Sequence, residues 1–150
     1  YGGKASTAAH EPMKPVVHLR SGFITIRDIQ EGESVGYGAT WIAKRPSRIG
    51  ILPIGYGDGF ARLHGSPTGE TRGHVSISGQ RFPIIGRISM DLMAVDITEL
   101  AQSENLRNMS VELLGAHITI DDLAGSAQTI GYEVLTNLGN RYARFYSGAE

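Results

Sequence analysis

The chain has 150 residues, and its 14 lysine and arginine residues almost balance 15 aspartate and glutamate residues, which leaves a formal net charge of −1. This length suits one domain of ordinary size, the hydrophobic content of 41% excludes a disordered tail, and no apolar run approaches the roughly 20 residues of a membrane-spanning helix. The absence of cysteine excludes disulfides, thiolate zinc sites and cysteine nucleophiles, and the near-neutral charge argues against nucleic acid as the main partner.

The first half of the chain predicts a linker followed by short β-strands. Residues 1–14 contain glycine and proline without any periodicity, which is typical of a linker. From Pro15 the apolar residues partly alternate, with a break at Ser21 and Gly22. A turn containing Gly32 follows. The predicted strands lie within residues 16–29, 34–43 and 48–56.

The second half predicts more strands and then helices. After a polar loop the pattern predicts a hairpin over residues 74–84, β-structure over 85–97, a loop or short helix over 98–108 and a strand over 111–114. Thr119 is a capping residue and two aspartates follow it, so residues 119–128 predict a helix. A second short helix is expected over 131–138 and a closing strand over 143–146. This order predicts a mainly β fold, a Greek-key-like β-barrel or sandwich decorated with one or two short helices near the C-terminus.

Three glycine-flanked segments stand out as candidate sites. They are residues 35–40 (Val-Gly-Tyr-Gly-Ala-Thr), 54–59 (Ile-Gly-Tyr-Gly-Asp-Gly) and 86–91 (Gly-Arg-Ile-Ser-Met-Asp). Paired glycines weaken a strand, so they indicate a bend or a close approach of another group. Each segment also has an ordinary structural interpretation: a core tyrosine at a kink, an aspartate bonding its own turn, and an ion pair between Arg87 and Asp91.

Other chemical signals are absent from the sequence. The five histidines show no metal-ligand spacing, so no metal site is expected. No phosphate-binding loop and no Gly-x-Ser-x-Gly elbow occur. The three lysines, Lys4, Lys14 and Lys44, lie outside the apolar strand patterns, where burial would lower the pKa of a lysine for Schiff-base chemistry.

Taken in order, these segments together with Tyr132 and Glu133 resemble the C-terminal domain of bacterial alanine racemase. The resemblance covers roughly residues 15–144, and several motifs in matching order are more specific than any one of them. It implies that residues 1–14 are a linker from a missing N-terminal β/α barrel and that residues 15–150 are the family's C-terminal β domain.

The resemblance implies a function as well as a fold. Family enzymes hold pyridoxal phosphate on a lysine of the N-terminal barrel and interconvert L- and D-alanine by a two-base mechanism, which supplies D-alanine for peptidoglycan. Two subunits pack head to tail as a homodimer, so that the C-terminal domain completes the partner's active site. The expected partners are therefore the barrel, a second subunit and a small amino acid, with no nucleic acid or membrane, and the expected location is the cytoplasm.

The resemblance also implies roles for single residues. Tyr37 matches the catalytic tyrosine that acts opposite the lysine. Met90 matches the residue whose backbone N–H holds the substrate carboxylate, and Tyr56 matches a tyrosine lining the same pocket. Tyr132 matches the phenol that binds the cofactor phosphate. The positions that line the channel through which substrate enters are Arg62, Arg87 and Ile130.

Three alternatives to this interpretation differ in what they require of the sequence. A basic amino-acid decarboxylase of the same two-domain plan places a cysteine in the partner's site, and this chain has none. A serine or broad-specificity amino-acid racemase stays open, because pocket residues of both domains set the preference. The third alternative is a non-catalytic β-barrel interaction module. The isolated chain is expected to behave in this way, because it would be inactive and would expose apolar surface.

Overall fold

A computed structural model describes residues 14–65, 72–101 and 106–148 of the chain. Within these residues nine β-strands are followed by two α-helices. In chain order they are β1 Leu19–Ser21, β2 Thr25–Ile29, β3 Ser34–Val35, β4 Trp41–Ile42, β5 Ser47–Leu52, β6 His74–Ile77, β7 Gln80–Ile85, β8 Met93–Asp96, β9 Val111–Leu114, α1 Ile120–Ala127 and α2 Gly131–Asn137. Short 3₁₀ turns occur at Tyr56–Asp58, Arg62–His64 and Leu106–Asn108.

Seven of the strands form one antiparallel sheet in the order β1-β9-β6-β7-β8-β5-β2, while β3 and β4 form a separate hairpin. The seven-stranded sheet curls into a half-barrel. The mainly β prediction is therefore confirmed. The hairpin predicted over residues 74–84 is confirmed as β6 and β7, joined by Ser78 and Gly79, which both have positive φ, the backbone geometry of the tight hairpin turn.

The main hydrophobic core lies between the sheet and the helices, and a second, smaller cluster of Ile49, Ile85 and Ala94 packs against Val35 and Trp41 of the β3–β4 hairpin. The main core includes Phe82 from β7, Val111 from β9 and Leu123 from α1, each exposed by no more than 2%. Helix α1 begins as predicted: the side chain of Thr119 accepts a hydrogen bond from the Asp122 N–H, and the Asp122 carboxylate accepts one from the Thr119 N–H. The two helices were expected between residues 119 and 138, and this is confirmed.

Two predicted strands require correction. Residues 143–146 form no strand and are exposed, because the segment after α2 is anchored through the hydrogen bond from the Gly139 N–H to the Asp58 carbonyl and pairs with no strand of the described sheet. The continuous β-structure predicted over 85–97 is interrupted by a turn at residues 86–92, which brings two glycine-flanked segments together. The linker prediction for residues 1–14 falls almost entirely outside the described residues. No described helix is both long enough and apolar enough to span a membrane.

Candidate active site

Tyr37 projects from the turn that joins β3 and β4. Gly36, Gly38 and Ala39 all have positive φ, a conformation that glycine adopts easily and alanine rarely. The turn therefore carries the tyrosine outward, and the side chain is 76% exposed. The interpretation of Tyr37 as a core residue is wrong. The phenol makes no hydrogen bond to another described residue, so it is free to act on a group supplied from outside this part of the chain.

The glycines of this turn allow it to rest on the next segment of the candidate site. A Cβ atom at Gly36 would lie 3.2 Å from the Arg87 nitrogen and 3.3 Å from the Gly86 Cα. One at Gly38 would lie 3.3 Å from the Arg87 Nη1. The Tyr37 turn is thus packed against Gly86 and the side chain of Arg87, which explains the paired glycines by a close approach rather than by a bend in a strand.

Tyr56 lies on a turn at residues 55–59, here named the Tyr56 turn. Asp58 is buried, and its Oδ2 accepts a hydrogen bond of 2.9 Å from the Gly55 N–H, which confirms the interpretation that this aspartate bonds its own turn. The turn ends at Gly59, whose φ of +88° is a left-handed conformation. Tyr56 itself is 44% exposed, with its ring on the surface of the domain.

Met90 lies on a second turn at residues 89–92, here named the Met90 turn. The Ser89 N–H donates to the Leu92 carbonyl at 2.9 Å, and the Leu92 N–H donates to the Ser89 Oγ at 3.0 Å. The Met90 N–H donates to none of the described residues, and the side chain is 53% exposed. Ser89 received no role from the sequence, yet its hydroxyl closes the turn that leaves this N–H available to an anion.

The two turns are hydrogen-bonded to each other. The Tyr56 N–H donates to the Ser89 carbonyl at 3.1 Å, and the Gly57 N–H donates to the Met90 carbonyl at 2.9 Å. A Cβ atom at Gly55 would overlap both carbonyl groups, so glycine is required for this approach. The structure therefore brings together Tyr56 and Met90, two residues that the sequence assigned to one substrate pocket.

The remaining predicted residues lie around the start of α2. Ile130 and Tyr132 are 63% and 66% exposed, and the Tyr132 phenol makes no hydrogen bond to another described residue. Arg62 lies on the 3₁₀ turn Arg62–His64 and lines a cavity of about 190 Å³ together with Thr129 and Glu133. None of the other predicted site residues lines this cavity, so the cavity is not a pocket shared by the predicted site.

Arg141 lies on the segment that follows α2, outside every motif that indicated a functional site in the sequence. Its Nε lies 3.2 Å from the Asp58 Oδ1, and its Nη1 lies 2.8 Å from the Asp91 Oδ1. Asp91 therefore pairs with Arg141, and the interpretation of an Arg87–Asp91 pair is wrong. No sequence signal marked this contact, because the three residues are separated by between 33 and 83 positions and ion pairs across such separations follow no spacing rule.

His64 is buried, with the centre of its ring 4.3 Å from that of Phe60, and is structural. Burial lowers the pKa of His64 to about 4, so the ring is neutral at pH 7. Its Nδ1 lies 2.8 Å from the Ser126 Oγ, and that hydroxyl donates its own hydrogen to the Leu123 carbonyl. Nδ1 is therefore the protonated nitrogen. Among the described residues no group of three or more histidine, aspartate and glutamate side chains could hold a metal ion.

Comparison with known proteins matches this chain to one family. The family model described as alanine racemase, C-terminal domain, matches residues 16–146. The chain is 49% identical over 136 residues to an alanine racemase of Stutzerimonas stutzeri, a match covering 91% of this chain and 36% of that protein. It is 42% identical over 141 residues to the biosynthetic alanine racemase of Pseudomonas aeruginosa, covering 94% and 37% of the two chains.

Solved structures agree with the sequence comparison. The fold matches alanine racemase from Bartonella henselae, solved with covalently bound pyridoxal phosphate, with a TM-score of 0.83, 36% identity and coverage of 91% of this chain and 36% of that one. The biosynthetic alanine racemase from Pseudomonas aeruginosa matches with a TM-score of 0.79 and 41% identity, covering 90% and 36%. The chain thus spans little more than a third of the length of the proteins it matches.

Proposed function

The chain belongs to the family of alanine racemase C-terminal domains, and we propose that it completes the active site of a pyridoxal-phosphate-dependent alanine racemase in the partner subunit of a head-to-tail homodimer. In this proposal residues 15–150 are the C-terminal domain of a longer chain, and residues 1–14 connect it to a β/α barrel. The reaction interconverts L- and D-alanine by two bases on opposite faces of the α-carbon.

The exposure of the predicted site residues is the observation that supports this proposal. Of the seven, six are exposed and only Arg87 is partly buried. The core consists of buried apolar side chains, whereas these tyrosine, methionine and isoleucine side chains are between 44% and 76% exposed. Exposed apolar residues grouped around free hydrogen-bonding atoms are typical of a surface that another domain covers. The site is half a site, and the other half must come from a second domain.

Tyr37 is proposed as the acid–base group on one face of the substrate. Inversion requires that one group removes the α-proton and that another returns a proton to the opposite face. The phenol oxygen of Tyr37 performs one of these transfers, and its exposed turn places the oxygen outside the domain, where a substrate held by a barrel can meet it. A tyrosine has an ordinary pKa of about 10, so the neighbours that assist proton removal are supplied by the partner.

The residues present fit a supporting role toward the cofactor. The exposed, unpartnered Tyr132 phenol is suited to donate a hydrogen bond to a phosphate oxygen. Lys14 and Lys44 are exposed and Lys4 lies outside the described residues, so no described lysine occupies a buried site suited to holding the cofactor. When bound, pyridoxal phosphate withdraws electrons from the substrate and makes the α-proton acidic. The lysine that carries it is proposed to belong to the barrel.

The remaining residues are proposed to bind and admit the substrate. The free Met90 N–H donates a hydrogen bond to the alanine carboxylate. Tyr56, on the adjoining turn, lines the same pocket. Arg62, Arg87 and Ile130 line the channel to it. The product D-alanine would serve peptidoglycan synthesis in the cytoplasm, as the family resemblance implies. Preference for alanine over serine depends on both domains, so a serine or broad-specificity racemase is the alternative within this same site.

Subunit complementation tests the proposal. Two full-length variants are prepared, one with Tyr37→Phe and the other with the barrel lysine replaced by alanine, and both are expected to be nearly inactive. If the C-terminal domain completes the partner's site, a mixed dimer holds one site with both groups intact. Random reassembly of equal amounts should then restore about a quarter of wild-type racemase activity, since half of the dimers are mixed and each has one good site.

The same mixture excludes the competing arrangement. If Tyr37 served the barrel of its own chain, every site in the mixed dimer would lack one group, and reassembly would restore nothing. A control mixture of Tyr37→Phe with itself shows the background. Lack of alanine racemisation by the wild-type full-length protein, with serine racemised instead, would favour the alternative substrate.

A further inference from the structure

We propose that Arg141 is a positioning residue for the substrate pocket, fixing the Tyr56 turn against the Met90 turn through Asp58 and Asp91. The inference rests on the proposed function, in which these two turns hold the substrate carboxylate. Arg141 lies outside the strands and helices, and it belongs to none of the sequence motifs that indicated the substrate pocket.

The guanidinium of Arg141 bridges two carboxylates that belong to different turns. Nε contacts Asp58 of the Tyr56 turn at 3.2 Å, and Nη1 contacts Asp91 of the Met90 turn at 2.8 Å. Several donors in one rigid plane can hold two acceptors at a fixed separation, which a single ammonium group on a flexible stem does less well. A Cβ atom at Gly57 would lie 2.8 Å from the Arg141 Nη1, so the arginine also lies directly against the backbone between the turns.

Asp58 connects this bridge to the framework of the domain. It is exposed by only 5%, its Oδ2 accepts the Gly55 N–H, and its backbone carbonyl accepts the Gly139 N–H at 2.9 Å. The segment that follows α2 is thereby anchored on the Tyr56 turn and brings Arg141 into place. Removal of the arginine would leave a buried carboxylate without its charged partner, which favours a rearrangement of the turn.

The Tyr37 turn, which joins β3 and β4, is held in place by contacts that do not include Arg141. Tyr37 lies on the β3–β4 turn, which packs against Gly86 and Arg87, and none of its described contacts involves Arg141. Loss of Arg141 should therefore disturb the binding of the carboxylate more than the transfer of the proton. A general loss of folding would instead reduce the amount of active enzyme, which lowers kcat and leaves KM unchanged.

The test compares Arg141→Met with Arg144→Met in the full-length racemase. Arg144 lies on the same segment, is exposed and bonds only Gly139 and Asn140 by its side chain among the described residues, so it is a matched control. We expect Arg141→Met to raise KM for alanine about tenfold, with kcat within about threefold of wild type. The control should leave both constants unchanged, and cofactor absorbance per subunit should be equal in all three proteins.

Two further variants keep the proposal testable if Arg141→Met folds poorly. Asp91 is exposed, so Asp91→Asn should fold normally and reproduce part of the rise in KM. The double variant should be no worse than Arg141→Met alone, because both substitutions break the same bridge. Arg141→Lys, which keeps the charge but loses the planar fork, should give an intermediate KM.

The outcomes separate this proposal from the proposed function. If the wild-type protein racemises alanine and Arg141→Met and Asp91→Asn both keep the wild-type KM, Arg141 has no positioning role. The same conclusion follows if KM rises equally in Arg141→Met and Arg144→Met. If the wild-type protein shows no racemase activity, the proposed function itself fails before the variants are compared.

Discussion

The Gly57 N–H donates a hydrogen bond of 2.9 Å to the Met90 carbonyl, across 33 residues of sequence. This bond joins the Tyr56 turn to the Met90 turn and orients the peptide between Met90 and Asp91. The Ser89 carbonyl, which lies in the same trans peptide as the Met90 N–H, accepts from the Tyr56 N–H at 3.1 Å. The Met90 N–H therefore points away from the Tyr56 turn, and it donates to none of the described residues. A pocket wall with a free donor therefore arises from the packing of two glycine-rich turns, and its geometry depends on contacts that neither turn makes alone.

Tyr37→Phe in the full-length enzyme should give an asymmetric defect. The ring and its exposure are retained, but one of the two proposed acid–base groups is lost. The family resemblance implies that the tyrosine takes the α-proton from L-alanine and the barrel lysine takes it from D-alanine. Exchange of the α-proton of L-alanine with solvent should therefore fall about 10²- to 10⁴-fold, the range of a positioned acid–base group, while exchange from D-alanine persists. Deuterium incorporation from each enantiomer in heavy water measures this. Equal wild-type rates from both, with the cofactor retained, would make Tyr37 a packing residue.

Tyr132→Phe should weaken cofactor binding without abolishing it. A hydrogen bond to a charged phosphate contributes about 1.5–3 kcal/mol, so we expect the dissociation constant of pyridoxal phosphate to rise about 10- to 100-fold. Titration of the full-length apoenzyme by absorbance gives the constant. Tyr146→Phe is the control, since that side chain is 87% exposed on the segment after α2. An unchanged constant in Tyr132→Phe would show that the phenol does not contact the phosphate.

The 150-residue chain alone should not bind pyridoxal phosphate covalently with a defined stoichiometry. The described lysines, Lys14 and Lys44, are exposed, whereas a lysine that carries a cofactor as an imine is held in a buried site. Incubation with the cofactor, borohydride reduction and intact-mass measurement should leave most of the protein unmodified. The full-length enzyme serves as the positive control. One adduct per chain at a single lysine would contradict the assignment of the cofactor site to the barrel.

Acid should destabilise the fold through His64. Burial lowers its pKa to about 4 in the folded protein, against 6.5 when unfolded, so the unfolded state binds more protons between these values. The contribution of the neutral ring is complete above pH 6.5 and is lost as the pH falls towards 4, amounting to about 3 kcal/mol in the free energy of unfolding. Urea unfolding from pH 7 to pH 4 measures the change.

Histidine variants separate this contribution from that of other acid-sensitive groups. His64→Gln should flatten the pH dependence of the free energy of unfolding between pH 6.5 and 4, although it lowers stability at pH 7. His18→Gln replaces an exposed histidine and should keep the wild-type slope. If both variants show the wild-type slope, His64 is not the residue whose protonation drives the loss.

Two glycines with the same backbone conformation should differ in their tolerance of alanine. Gly59 and Gly32 have φ of +88° and +86°, but a Cβ at Gly59 would overlap the Asn137 carbonyl oxygen, whereas nothing lies within 4 Å of one at Gly32. Gly32→Ala should cost about 1 kcal/mol of stability for the left-handed conformation alone. Gly59→Ala should cost about 3 kcal/mol or more, because the overlap adds to that strain. Chemical denaturation of both variants measures the difference. Equal losses in the free energy of unfolding would show that the end of α2 at Asn137 moves aside without cost.

Local signals in the sequence were sufficient for much of the fold. The alternating strands, the hairpin turn at Ser78 and Gly79 and the capping of α1 by Thr119 each depend on residues within a few positions of one another. Such interactions form wherever the segment lies, so their patterns predict structure without knowledge of the rest of the chain. The order of the glycine-flanked segments likewise indicated the family. The exposure of Tyr37 was not predictable from its flanking glycines, which fitted a core tyrosine equally well.

Tertiary structure alone decided which segments meet. Nothing near Arg141 in the sequence marks Asp58 and Asp91 as its partners, and nothing in residues 143–146 shows that the segment after α2 is anchored on the Asp58 carbonyl and not on the sheet. Long-range pairs of this kind depend on where the curled sheet and the end of α2 place each backbone, and many pairings of charged residues are compatible with the same local patterns. The residue types of the half-site were therefore encoded in short motifs, while its geometry arose from contacts between turns far apart in the chain.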